Sequence, residues 1–191
     1  QVAIMSDEIY HRLLFDGREH ATLFRYPEIA DRLIVLDGWS KTYAMTGWRL
    51  GWSVWPKSLV GDAERLAINC HSCVNAAAQY AGIAALEGPQ DSVEAMRKAF
   101  AERRRIIVDG LNGIPGVSCV EPGGAFYAFP NIVRTNKGAR TLQDIFLTEA
   151  GVATIAGTAF GAHGEGYLRF SYANSAENIR EALVRIRKAL G

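Results

Sequence analysis

The sequence predicts an α/β protein, with a mostly parallel sheet and packed helices, followed by a smaller α+β unit. Three observations carry this. Residues 2–5 form a continuous apolar run that stops at Ser6-Asp7, and residues 32–37 (Arg-Leu-Ile-Val-Leu-Asp) repeat the pattern. Unbroken apolar runs of this length are how strands covered on both faces read. Residues 57–111 then carry apolar side chains at helical spacing, and beyond Gly113 the chain turns to short strands between turn residues.

Taken in order, residues 2–6 are the first predicted strand. Pro27-Glu28-Ile29-Ala30 reads as a short helix or turn, and residues 32–37 as a second buried strand. Residues 48–55 interleave tryptophan with glycine and read as a third, ended by Pro56, which has no N–H to donate. Leu59, Ala63, Leu66 and Ala67 mark a helix over 57–68, and the small residues of 75–86 predict a tightly packed helix broken by Gly88-Pro89. A long helix over 92–111 carries Val93, Met96, Phe100, Ile107 and Leu111, and stops at Asn112-Gly113. Residues 117–121 and 125–129 read as two strands joined by Pro122-Gly123-Gly124. A helix over 141–150 and strands at 153–155 and 167–171 follow. Ser175 caps a last amphipathic helix with Ile179, Leu183, Ile186 and Leu190 on one face. The best boundary falls near residue 88, giving units 1–88 and 89–191.

Composition bounds the function. The 191 residues are 49% apolar and 21% charged, as in ordinary globular domains. A formal charge of +1 gives no electrostatic reason to expect nucleic acid or an anionic membrane as partner. No apolar run approaches the roughly 20 residues of a spanning helix. Three cysteines suit a reducing, cytoplasmic location. The chain opens inside an apolar strand, with no basic leader and no initiator methionine, so it is expected to be the C-terminal part of a longer protein.

The chemistry concentrates in Ser40-Lys41-Thr42-Tyr43-Ala44-Met45-Thr46-Gly47-Trp48-Arg49-Leu50-Gly51 and in Ser6-Asp7-Glu8-Ile9-Tyr10. A lysine between two core-like stretches, 33–36 and 48–52, is placed where its amine can be kept partly dehydrated, which makes a Schiff-base lysine reactive. Arg49 offers a rigid, permanently charged fork for a phosphate, and Gly47 and Gly51 allow close backbone approach. Asp7, with Glu8 as its neighbouring competitor, and Tyr10 complete a set that fits one cofactor, pyridoxal 5'-phosphate. In these residues the chain resembles the fold type I, class I and II aminotransferases (the aspartate aminotransferase superfamily). The resemblance covers essentially this whole chain and about half of such an enzyme.

That resemblance implies the C-terminal part of the family's large domain followed by its small domain. It implies that Lys41 is the Schiff-base and proton-shuttling residue, Asp7 the partner of the pyridine nitrogen, Tyr10 the partner of the phenolic oxygen, and Arg49, with Ser40, the phosphate ligands. Gly38 stands where many members carry a serine or threonine phosphate ligand, so more of the phosphate rests on Arg49 and on groups outside this chain. Arg169, in Gly166-Tyr167-Leu168-Arg169-Phe170-Ser171-Tyr172, resembles the arginine that takes the substrate α-carboxylate, and Gly124-Ala125-Phe126-Tyr127 a turn that walls the substrate pocket through Phe126. The implied activity is transamination between an amino acid and a 2-oxo acid by a homodimer. A carbon–sulfur lyase of the same fold, or an aminotransferase-like sensor domain of a transcription regulator, would keep the same residues. The aromatic ring, asparagine and glycine-rich loop that complete the family's cofactor site do not occur here, so this chain alone is expected to bind cofactor weakly and to be inactive.

Two further patterns are weaker. Cys70-His71-Ser72-Cys73 lacks the second ligand pair of a zinc site and reads as partly buried structural thiols, with no metal site. Arg103-Arg104-Arg105 reads as a solvated helix face.

Overall fold

The apolar run at 33–36 becomes the centre of a three-stranded sheet. In the computed structural model, which describes residues 2–191, β1 (Ile4–Asp7) pairs in parallel with β2 (Leu33–Gly38), and β3 (Gly51–Val54) runs antiparallel on the other side of β2. Leu33, Ile34 and Val35 of this central strand are buried. The chain divides into two compact units, residues 1–95 and 96–191.

In the first unit, α1 (Trp39–Thr42) follows β2 directly, and α2 (Val60–His71) and α3 (Ala76–Glu87) follow β3. Asn75 caps α3 by accepting the Ala78 N–H at 3.1 Å. Gly82 lets α3 approach closely. A Cβ there would lie 2.5 Å from Leu50 Cδ2, and the Gly82 carbonyl accepts the Trp39 indole N–H at 3.0 Å.

Several expectations for this unit need correction. Strand 2–6 was expected to be buried, yet Met5 is 63% exposed, because β1 is an edge of the sheet formed by the described residues. Trp48 and Trp52 are exposed rather than core. Trp48 lies in a 3-10 turn (Thr46–Trp48), and Leu50 is the buried residue of that stretch. Residues 75–86 are packed on one face only: Ala78 and Gly82 of α3 are buried, and none of α2. Cys70 and Cys73 share that exposure and are not partly buried thiols.

The second unit is antiparallel. It has β4 (Tyr127–Ala128), β5 (Ile155–Ala156) and β6 (Leu168–Ser171) in the order β4-β6-β5, with α5 (Ala139–Thr148) and α6 (Ala176–Leu190). The long helix α4 (Asp91–Asn112) runs from the first unit into it. Phe100, Ile107 and Leu111 of α4, Leu142 and Phe146 of α5, Leu168 and Phe170 of β6 and Ile179 and Ile186 of α6 are buried. Ser175 caps α6 through Oγ, accepting the Asn178 N–H at 3.1 Å.

Here too the sequence misleads in two places. Residues 117–121 and 125–129 do not pair as a hairpin. Ser118 bridges Asn131, and β4 pairs with β6, so the Pro122-Gly123-Gly124 segment joins parts with different partners. Arg104 is not solvated: it is 2% exposed, its Nη2 lies 3.1 Å from Glu121, and its Nη1 donates to the Pro122 carbonyl at 2.9 Å. A charge that deep persists only when paired and hydrogen-bonded.

Candidate active site

The register of the first sheet gathers the candidate residues at one end. Asp7 closes β1 opposite Leu36 of β2, and Tyr10 lies on the turns that follow. Ser40 and Lys41 sit in α1 immediately beyond β2. Gly51, the first residue of β3, pairs with Gly38, the last of β2, so Arg49 reaches the same end from the antiparallel side. Carboxyl ends of parallel strands are where open α/β sheets hold ligands.

Alternation along β1 decides between the two neighbouring carboxylates. Met5 and Asp7 face outward; Ile4, Ser6 and then Glu8 face inward. Glu8 is 8% exposed and its oxygens are engaged by His20 Nε2 at 2.7 Å, Thr22 Oγ1 and the Leu23 N–H at 3.1 Å, and Ser6 Oγ at 3.2 Å. Burial alone would raise its pKa, but the bonds from His20, Leu23, Thr22 and Ser6 outweigh that and hold the carboxyl below its ordinary value. Asp7 is exposed and accepts one backbone bond, from the Ile9 N–H at 3.1 Å.

Lys41 is half-buried on a helix pinned on both sides. Trp39 is tied to α3 through its indole N–H. On the other side Tyr43 Oη donates to Gln90 Oε1 at 3.3 Å, and the same oxygen accepts Arg12 Nη1 at 2.7 Å. Gln90 Nε2 is held in turn by the carbonyls of Ala85 and Gly88, at 3.0 and 2.8 Å. One amide thus links the loop after β1 to the helix after β2. No sequence pattern pointed to Gln90.

Arg49 is exposed and adopts a left-handed conformation, φ 54° and ψ 48°, with Nη1 on the Thr46 carbonyl at 2.8 Å. A non-glycine residue in that region costs about 1–2 kcal/mol, and such outliers gather at ligand sites. The guanidinium stands on the wall of a groove of about 860 Å³ with Gly47, Trp48, Gly51 and Asn75. At Gly38 a Cβ would lie 2.9 Å from Gly51 Cα and from the Leu50 carbonyl, so the backbone there leaves no room for a side chain.

Asp37 was also missed. Its side chain is 5% exposed, Oδ1 accepts the Gly38 N–H at 2.6 Å, and Oδ2 lies 2.7 Å from His11 Nδ1, off the line of an N–H···O bond. Burial raises its pKa against the Gly38 bond and the His11 charge, and the Glu8 and Asp7 carboxylates add to the rise. A carboxyl with a raised folded-state pKa weakens the fold once ionised, and that penalty disappears as pH falls through its titration. Asp37→Asn keeps an oxygen for the Gly38 N–H. It is therefore expected to hold or raise stability at pH 7, by up to about 1 kcal/mol, with no gain at pH 3. Denaturant melts of the intact protein at the two pH values check this; a clear loss at pH 7 would mean that the His11 pair dominates.

In the second unit, Arg169 lies on the central strand β6, its guanidinium 4.6 Å from the ring centroids of both Tyr127 and Phe160. Phe126 is half-buried, stacked on Phe100 of α4 at 5.5 Å.

A family pattern covers nearly the whole chain. The family described as "Aminotransferase class I and II" matches residues 1–186. The chain belongs to this family. It is 40% identical over 191 residues to an aspartate aminotransferase of Pyrococcus horikoshii, spanning 99% of this chain and 48% of that protein. It is 42% identical over 193 residues to the aspartate aminotransferase of Geobacillus stearothermophilus, spanning 98% and 49%. The crystal structure of an aromatic aminotransferase from Pyrococcus horikoshii superposes with a TM-score of 0.94 at 36% identity, over 99% of this chain and 51% of that one. The chain spans about half the length of the curated relatives it matches.

The donor set of the first unit fits pyridoxal 5'-phosphate: an outward carboxylate, a phenol, a half-buried amine and an exposed guanidinium at one end of one sheet. Among the described residues no group of side chains is arranged to hold a metal ion. None of their helices is long and apolar enough to cross a membrane.

Proposed function

We propose that the chain is the C-terminal portion of a pyridoxal-phosphate-dependent enzyme that moves an amino group between an amino acid and a 2-oxo acid. The placement of Asp7 at the carboxyl end of one strand and of Lys41 just past the end of the adjacent parallel strand, in a chain of this family, carries the reading. When bound, the cofactor supplies an electron sink for the bond broken at the substrate α-carbon. Lys41 holds the cofactor through its Nζ and moves the α-proton. Asp7 keeps the pyridine nitrogen protonated, Tyr10 donates to the phenolic oxygen, and Arg49 with Ser40 takes the phosphate. Arg169 binds the α-carboxylate, and Phe126 helps wall the substrate pocket.

Exposed Leu66, Ile68, Tyr80 and Leu86 on α2 and α3 support a larger assembly, since apolar surface of this extent seldom faces water in a finished protein. The intact protein is read as a cytoplasmic homodimer, and the chain alone as inactive. The relatives named above are described for aspartate and for aromatic substrates, so both are taken as candidate donors.

The test is to give the intact protein with the cofactor an amino acid labelled with heavy nitrogen, and 2-oxoglutarate. Label appearing in glutamate is the expected result. Pyruvate and labelled ammonia released from a labelled amino acid with a β-thioether, in a parallel reaction without 2-oxoglutarate, would replace transamination by the lyase reading.

A further inference from the structure

The surroundings of Arg169 are more specific than a carboxylate-binding arginine requires. Along β6, Leu168 and Phe170 point into the core, while Arg169 and Ser171 occupy the other face. Tyr127 of β4 pairs with Ser171, which puts it diagonally beside Arg169 on that face, within reach of a long side chain. On the opposite edge, Ile155 of β5 pairs with Arg169, and the 3-10 turn that follows β5 (Gly157–Phe160) ends at Phe160. One ring reaches the guanidinium from the neighbouring strand β4 and the other from the turn after β5, each with its centroid 4.6 Å from Cζ. Phe160 is braced edge-on by Phe129 at 6.1 Å, and Phe129 is stacked on Tyr167 at 5.3 Å with the planes 8° apart. Yet Phe160 is 52% exposed, so core packing does not explain its position.

We propose that Phe160, together with Tyr127, is a positioning residue that clamps the guanidinium of Arg169 between two aromatic rings and so fixes the direction from which a substrate carboxylate is bound. The proposal rests on the carboxylate role given to Arg169 above. A guanidinium bonds a carboxylate in its own plane, through paired N–H groups, and interacts with aromatic rings through its faces. Rings on both sides therefore leave the N–H edge as the binding surface and remove rotations that would swing it away. The two demands do not compete, because one uses the faces of the cation and the other its edge. The arginine also comes to the substrate already ordered, so less side-chain freedom is lost on binding.

The proposal separates from a general structural role through the substrate's own chemistry. An amino acid and its decarboxylated amine offer the same nitrogen, but only the first engages Arg169. The intact protein with cofactor, as wild type, Phe160→Leu and Phe160→Tyr, is assayed with L-phenylalanine against phenethylamine, which has no carboxylate. Calorimetric titration with succinate and 3-phenylpropanoate follows. For Phe160→Leu the expected result is about a tenfold rise in KM for the amino acid and in Kd for the carboxylates. Its kcat and its rate with the amine should stay within about twofold, and Phe160→Tyr should restore wild-type values. Equal losses with amino acid and amine, or unchanged carboxylate binding in Phe160→Leu, would overturn the clamp. If the wild type turns over none of these substrates, the transaminase reading fails by itself. The carboxylate titrations still decide the clamp, since they need no turnover.

Discussion

Replacing Lys41 by alanine in the intact protein is expected to lower the rate of amino-group transfer by about 10⁴-fold, the scale of a lost acid–base group. It should also abolish the covalent adduct trapped by borohydride in the presence of pyridoxal phosphate, read by peptide mass spectrometry. The structure says why no neighbour should substitute. Lys41 stands on α1, immediately beyond the central strand β2, and the helix is fixed by Trp39 on α3 and by Tyr43 on Gln90. An amine supplied from elsewhere would not inherit that placement. Lys41→Arg sharpens the test. It keeps the positive charge, but a guanidinium does not deprotonate in a protein and can neither form the covalent link nor carry the proton. Both variants should therefore fail alike. Transfer by Lys41→Arg within about tenfold of wild type would reduce Lys41 to a charge and remove the centre of the proposal.

What the sequence disclosed follows from the range of the interactions involved. The run at 33–36 announced a buried central strand because burial on two faces needs no knowledge of the partners. The Ser175 cap of α6 was legible because the bond closes within three residues. The clustering of Asp7, Lys41 and Arg49 was legible as a motif, although the register that brings them to one sheet end is a tertiary fact. Gln90 and Arg12 meet across 78 residues, and nothing local marks either. Arg104 sits in a run of three arginines that composition reads as solvated, and its burial depends on Glu121 and Pro122 arriving from a later segment. The clamp on Arg169 draws its two rings from β4 and from the turn after β5, so its members have no shared periodicity.

Glu8→Gln is expected to destabilise the intact protein by about 2 kcal/mol at pH 7, the scale of losing a hydrogen bond to a charged group. The three bonds that Glu8 Oε1 accepts, from the Thr22 hydroxyl, the Leu23 N–H and the Ser6 hydroxyl, can pass to the glutamine oxygen, but an NH2 group then replaces the Oε2 that faces His20 Nε2 and the negative charge is gone. The sign of the pH dependence follows from the depressed folded-state pKa of Glu8. The stabilisation is complete above the carboxyl's unfolded value and is lost as pH falls through the lower folded value. Wild type and Glu8→Gln should therefore converge in acid and separate as pH rises, which denaturant melts from pH 3 to 7 would show. A constant gap across that range would mean that shape, rather than charge, holds the site. The consequence extends to chemistry, because Glu8 and Asp7 are consecutive and strand alternation turns them to opposite faces. Anchoring Glu8 inward through the chain at 20–23 holds Asp7 outward at the end of β1. The buried carboxylate thus does for Asp7 what Trp39 and Gln90 do for Lys41, and loosening it should weaken cofactor binding even where the fold survives.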